Sequence, residues 1–121
     1  SKLIGPGYCF PLTDSTLSPA GCFALDVAQI RAIAPKIKRG FRTSALANNP
    51  ITHDWFIISG VNQLLVITDS SWKVKSAYHL DGNRFNKPEG ITFDKEGNLY
   101  ISNEGDHLSE GNILKFTRGK N

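Results

Sequence analysis

The sequence predicts an all-β fold: a partial β-propeller of about two to three four-stranded antiparallel blades, with one short helix near the N-terminus. Three observations carry this. Residues 88–103 read as two short strands joined by a tight turn, with Ile91 and Phe93 alternating with Thr92 and Asp94, then Leu99 and Ile101 with Tyr100 and Ser102. The same phrase occurs earlier. Residues 41–50 lie over 85–94 with one residue of slippage, and 54–59 lie over 98–103. The offset of about 44 residues falls in the range of one propeller blade. Two unrelated hairpins in one small sheet are the plainer alternative. Matching aromatic, turn and small-residue positions across the whole unit favour the blade.

Taken in order, residues 1–40 form a loop-rich segment punctuated by Gly5-Pro6-Gly7, Pro11 and Ser18-Pro19-Ala20-Gly21. An edge strand is expected around 8–12, and residues 23–25 are expected to complete the outer strand of a preceding blade. Asp26 then opens a helix as N-cap, with Gln29 reaching back. Val27, Ile30 and Ile33 or Ala34 form its apolar stripe, and Pro35 keeps it short. In a propeller this helix is an insertion packed over one face.

Residues 41–84 form the first blade, whose third strand is Leu64-Leu65-Val66-Ile67 and whose fourth covers 74–80. Residues 85–121 form the C-terminal blade. Its turn, Asp94-Lys95-Glu96-Gly97-Asn98, places Gly and Asn where a reversal needs positive φ. Its third strand covers 112–116, and no fourth follows. Trp55, Phe56, Phe93, Tyr100 and Phe116 are expected to fill the layers between blades.

A chain of 121 residues is long enough for one domain but not for a closed propeller, which needs at least four blades. Blades cannot bury their apolar faces alone. The expectation is therefore a portion of a longer chain, or copies that associate to complete the ring. No apolar run is long enough to span a bilayer, and no signal-peptide core is present, so membrane association would come through sequence outside this stretch. The net charge of +3 is mild. Lys36, Lys38, Arg39 and Arg42 cluster, but no aromatic residues interleave with them for base stacking, so a solvated connector is expected and no nucleic-acid partner. Cys9 and Cys22 are either bridged, as in an exported protein, or two free thiols.

A hairpin starts and finishes at one edge, so Glu89 should lie near Asn103 and Glu104. Oxygen ligands of this type suit a hard cation such as Ca²⁺. The first copy carries Ser44 and Ser59 where the second carries Glu89 and Asn103. Ser44, Ser59 and Glu89 are thus candidate ligand-binding residues, and Glu89, Asn103 and Glu104 candidate metal ligands. The bland reading is that these side chains satisfy backbone amides at strand ends. No catalytic residue is identified. There is no Gly-x-Ser-x-Gly elbow, P-loop, His-Glu-x-x-His or dinucleotide fingerprint, and nothing brings His53, His79 and His107 to one nucleophile. The loop after Asn103 does not match EF-hand spacing.

Ser44-Ala45-Leu46-Ala47, Asp54-Trp55-Phe56-Ile57-Ile58-Ser59 and Leu64-Leu65-Val66-Ile67, followed by Lys87-Pro88-Glu89-Gly90-Ile91 and Gly97-Asn98-Leu99-Tyr100-Ile101-Ser102-Asn103-Glu104-Gly105, carry a resemblance. Together they resemble the C-terminal part of the bacterial SdiA-regulated (YjiK-like) family. The resemblance implies a six-bladed β-propeller, distantly similar to the NHL-repeat and gluconolactonase propellers. It also implies a periplasmic or cell-envelope bacterial protein. The function it implies is a scaffold that binds a small ligand, cation or protein at its channel rim. The gluconolactonase likeness implies a channel-bound divalent metal, and with it the rival reading of a metal-dependent lactonase or esterase. A truncated, inactive set of blades is the third.

Overall fold

Among the described residues, short alternating segments separated by turn residues become nine strands and one helix. The computed structural model describes residues 3–6, 24–35, 41–106 and 110–119. In chain order the elements are β1 (Leu3–Pro6), β2 (Ala24–Asp26), α1 (Val27–Ile33), β3 (Ala45–Asn48), β4 (Trp55–Ser59), β5 (Leu64–Thr68), β6 (Val74–His79), β7 (Pro88–Phe93), β8 (Leu99–Asn103) and β9 (Asn112–Phe116). Strands β3-β4-β5-β6 form one antiparallel meander and β7-β8-β9 a second, while β1 and β2 pair with each other. Ala24 and Leu25 sit with β1 in this separate two-stranded sheet. The strand expected at 8–12, both cysteines, Lys36, Lys38, Arg39 and His107 lie outside the described residues.

The duplication holds strand by strand. Ile57 pairs with Leu46 on one side and Val66 on the other; Ile101 pairs in the same way with Ile91 and Leu114. The one-residue slippage has a structural cause. The β7–β8 register shifts between Pro88 and Gly90, so Glu89 is the extra residue of a β-bulge. The turn 94–98 is one residue shorter than its counterpart 49–54, which brings β8 back into step with β4. That shorter turn closes through Gly97 N–H donating to the Asp94 carbonyl at 3.0 Å, with Gly97 at φ 88°. A side chain there would be strained by its backbone and would start 2.8 Å from Ile51 Cγ1.

Two apolar layers result. Ile58, Leu65, Leu80, Phe85 and Ile101 are buried between the two large sheets, with Phe56, Leu99, Leu114 and Phe116 packed around them. The second layer, Ile30, Phe41, Ile57, Leu64 and Val66, lies on the other face of the first sheet and is covered by α1. The strand period of two sorts the aromatic residues. Phe56 meets Phe93 edge-on at 4.9 Å between the sheets, and Phe116 stacks with Phe85 at 5.9 Å. Trp55, next to Phe56, must face the opposite way and stacks on Trp72 at 4.5 Å in the α1 layer. Tyr100, next to Ile101, likewise faces away from the first sheet, beneath Lys115 Nζ at 5.7 Å from its ring. Neither of these two fills the layer between the two sheets.

Asp26 caps α1, its Oδ1 accepting from Ala28 N–H at 2.9 Å. Gln29 does not reach back to the cap. Its Oε1 accepts from Val74 N–H at 3.0 Å and ties the helix to the first residue of β6. Ile30 is buried and Ala34 packs beside it, whereas Ile33 is 44% exposed. The helix stops where Pro35 follows, with Ala34 N–H returning to the Ile30 carbonyl at 2.8 Å.

Candidate functional site at the inner-strand rim

Antiparallel order puts the starts of β3 and β7, the ends of β4 and β8, loop 60–63 and residues 104–106 on one rim. β3 lies against β7, so the two inner strands are neighbours there. Ser44 immediately precedes β3. Its N–H donates to the Ile58 carbonyl at 2.7 Å, and its Oγ accepts from Gly60 N–H at 2.8 Å. Because Gly60 lacks a side chain, the second sheet comes close. The position a Cβ would take at Gly60 is 3.1 Å from the Pro88 carbonyl oxygen, 3.3 Å from Ser44 Oγ and 3.9 Å from Glu89 Oε1. A carbonyl, a hydroxyl and a carboxylate thus gather over Gly60. The bulge explains the carboxylate: Glu89 has no cross-strand partner, and its side chain is exposed at the rim.

The other candidates lie beside this point in different roles. Ser59 is fully buried; its Oγ donates to Asn62 Oδ1 at 2.7 Å and accepts from Asn62 N–H at 3.1 Å. Asn62 Oδ1 also accepts from Arg42 N–H at 3.1 Å. In the second copy Asn103 does this work unaided. Its Oδ1 accepts from Lys87 N–H at 3.3 Å, and its Nδ2 donates to the Arg84 carbonyl at 3.0 Å and to Asn112 Oδ1 at 2.8 Å. A carboxamide oxygen therefore holds the segment entering each inner strand, supplied by Asn62 in the first copy and by Asn103 in the second. Glu104 N–H donates to the Lys87 carbonyl at 2.9 Å, and its side chain is exposed. Sequence reasoning passed over Asn62 and Gly60. The available signal was Ser59-Gly60-Val61-Asn62 itself, a short polar turn opposite the Glu89 end of the duplicated phrase.

Ser44, Glu89 and the Pro88 carbonyl are hard oxygen donors, so they fit a Ca²⁺-like cation in kind but not in number, since such ions take about six to eight oxygens. Among the described residues no three His, Cys, Asp or Glu side chains gather to hold a metal.

The opposite rim carries a different carboxylate. Asp94 Oδ1 accepts from Glu96 N–H at 3.1 Å and Asn98 N–H at 2.9 Å; Oδ2 accepts from Asn98 Nδ2 and the Tyr100 hydroxyl, both at 3.0 Å. The Asn98 side-chain amide, above all, holds the Asp94 carboxyl below its usual range; desolvation opposes this, and the Asn98 and Glu96 N–H groups and Tyr100 add to it. A depressed carboxyl contributes stability that is present above its unfolded value of about 3.9 and lost as pH falls through the lower folded value. Acid titration of unfolding should therefore show wild-type stability dropping below about pH 4 with a component that Asp94→Asn lacks. Parallel acid profiles for the two proteins would refute this role.

Successive antiparallel sheets stacked face to face, with neighbouring inner strands and a polar rim where they begin, define a propeller-type scaffold. Residues 28–108 match the family model described as SdiA-regulated, and the chain belongs to the SdiA-regulated family. The match begins inside α1, so the helix is part of the family pattern together with the first sheet and the β7–β8 hairpin. No curated protein matches the chain.

Proposed function

We propose that this protein is a propeller scaffold that binds a positively charged group at its inner-strand rim: a hard cation such as Ca²⁺, or the basic group of a small ligand or protein. One observation supports this most. The bulge at Glu89 leaves an exposed carboxylate near Gly60, where Ser44 Oγ and the Pro88 carbonyl oxygen also lie. Three oxygens gathered near one residue, one of them charged, favour a cation and disfavour an anion.

Thermal unfolding with CaCl₂ against EDTA tests this reading with Ca²⁺ as probe. A ligand present at about 100 times its Kd adds about 2.7 kcal/mol to the folded state. The wild type and Glu96→Gln should gain stability, and Glu89→Gln should not. Glu96 lies in the turn at the opposite rim and serves as the charge-matched control. Equal gains in all three proteins would remove Glu89 from the site, and no gain in any of them would overturn the Ca²⁺ form of the proposal.

A further inference from the structure

The oxygens near Gly60 come from both large sheets, and each is anchored to its own sheet. On the first, Ser44 N–H donates to the Ile58 carbonyl and Ser44 Oγ accepts from Gly60 N–H, which fixes the hydroxyl against the end of β4. On the second, Lys87 N–H donates to Asn103 Oδ1 and the Lys87 carbonyl accepts from Glu104 N–H. These two bonds tie the start of β7 to the end of β8, next to Pro88 and Glu89. Among the described residues no hydrogen bond joins a strand of the first large sheet to a strand of the second. Apolar contact holds these strands together. It is non-directional, so it does little to fix the distance between two particular oxygens.

Small residues let the sheets approach here. Ala45 and Ala47 pair with Ile58 and Phe56, and so share the face that meets the second sheet. β3 and β4 both lie against β7. Gly60 adds to this closeness. Its backbone is outside the left-handed region, so only space opposes a side chain there. A methyl group would stand 3.1 Å from the Pro88 carbonyl oxygen and 3.3 Å from Ser44 Oγ, and these neighbours would have to give by a few tenths of an ångström. We propose, resting on the cation reading given above, that the rim site is a clamp across the seam between the two sheets. A cation held by Ser44 on one sheet, and by Glu89 and the Pro88 carbonyl on the other, is a polar link between them. Gly60 is the positioning residue that sets its span. Occupancy of the site and closeness of the sheets are then one equilibrium. Binding tightens the seam, and by linkage whatever widens the seam weakens binding by the same factor.

Hydrogen–deuterium exchange of the 121-residue chain with CaCl₂ against EDTA tests this, with Ca²⁺ affinity measured by titration calorimetry on the same samples. Ca²⁺ should slow exchange in residues 58–62 as well as in 87–91. Gly60→Ala and Gly60→Val should bind progressively more weakly, by about tenfold or more for Val, and Ca²⁺ should protect 87–91 less in both although Glu89 is untouched. Ser44→Ala removes the first-sheet oxygen without adding bulk. It should also bind about tenfold more weakly, and it carries the test if the Gly60 variants do not fold. Ca²⁺ binding that needs Glu89, is unchanged in Gly60→Ala and Ser44→Ala, and protects 87–91 alone overturns the clamp and leaves the cation reading standing. No binding to the wild type overturns both.

Discussion

Phe85→Ala is expected to lower unfolding stability by about 3–5 kcal/mol, and Phe41→Ala by a similar amount. The two residues occupy the same place in the duplication, each in the segment entering an inner strand. Phe41 is 2% exposed in the layer beneath α1, and Phe85 is 7% exposed in the layer between the sheets. Removing either ring forfeits its transfer energy and leaves a cavity that β-sheet neighbours on both sides cannot collapse into. Phe85 has a further partner, stacking with Phe116 at 5.9 Å and 14°, so its loss also loosens β9. Domains of ordinary size are stable by about 5–15 kcal/mol, so either substitution removes a large part of the total. Urea unfolding midpoints check this, with the exposed Ile113→Ala as a control expected to stay within about 0.5 kcal/mol of wild type. If Phe85→Ala behaved like that control, the layer between the sheets would not be a packed core.

Asn103 gives the second large effect, and its sign separates two roles for the residue. Replacement by Ala leaves the Lys87 N–H and the Arg84 carbonyl without their side-chain partner. At about 1–3 kcal/mol for each polar group left unsatisfied, these two part-buried groups set an expected loss of about 2–6 kcal/mol, toward the lower end because water can reach them in part. Asn103→Asp keeps the shape and the acceptor facing Lys87. It also turns two donated hydrogen bonds into contacts of a carboxylate with the Arg84 and Asn112 oxygens. At neutral pH this variant should be at least as unstable as Ala. Oxygen neighbours disfavour the ionised form and raise the pKa of the new carboxyl, so the variant should regain stability as pH falls and the group protonates. A cation ligand would behave in the opposite way, with Asp at this position holding Ca²⁺ more tightly than Asn and losing little stability. Denaturation at two pH values, with and without Ca²⁺, distinguishes these outcomes.

Much of the fold was legible because the chain states it twice. One strand alone is ambiguous between registers and faces, but two copies with matching aromatic and turn positions fix strand order and hairpin closure. Gly97 was readable because a left-handed turn position has few tenants. The Asp26 cap was readable because capping is local. Gln29 was misread for the complementary reason. The same side chain can reach its own helix N-terminus or a backbone amide 45 residues away, and only the docking of α1 chooses between them. That Trp55 and Tyr100 face away from the layer between the two sheets was not legible, because hydrophobicity indicates that an aromatic ring is buried without indicating on which side of the sheet.

The site divides in the same way. That Glu89 and Asn103 share a rim follows from hairpin geometry, and the match of Asn103 to Ser59 follows from the duplication, whereas by register Ser44 matches Pro88 and Glu89 has no counterpart in the first copy. That Glu89 is the extra residue of a bulge, and so turned outward, while Asn103 is drawn inward and used up in hydrogen bonds, follows from tertiary structure. By itself the sequence determined the strands of the two large sheets, their order and the side of the molecule on which the polar residues collect, since these depend on periodicity and chain connectivity. Which side chains face solvent, which face a neighbouring sheet and which oxygens converge over Gly60 were decided only when the two sheets packed, because those properties belong to pairs of segments distant along the chain.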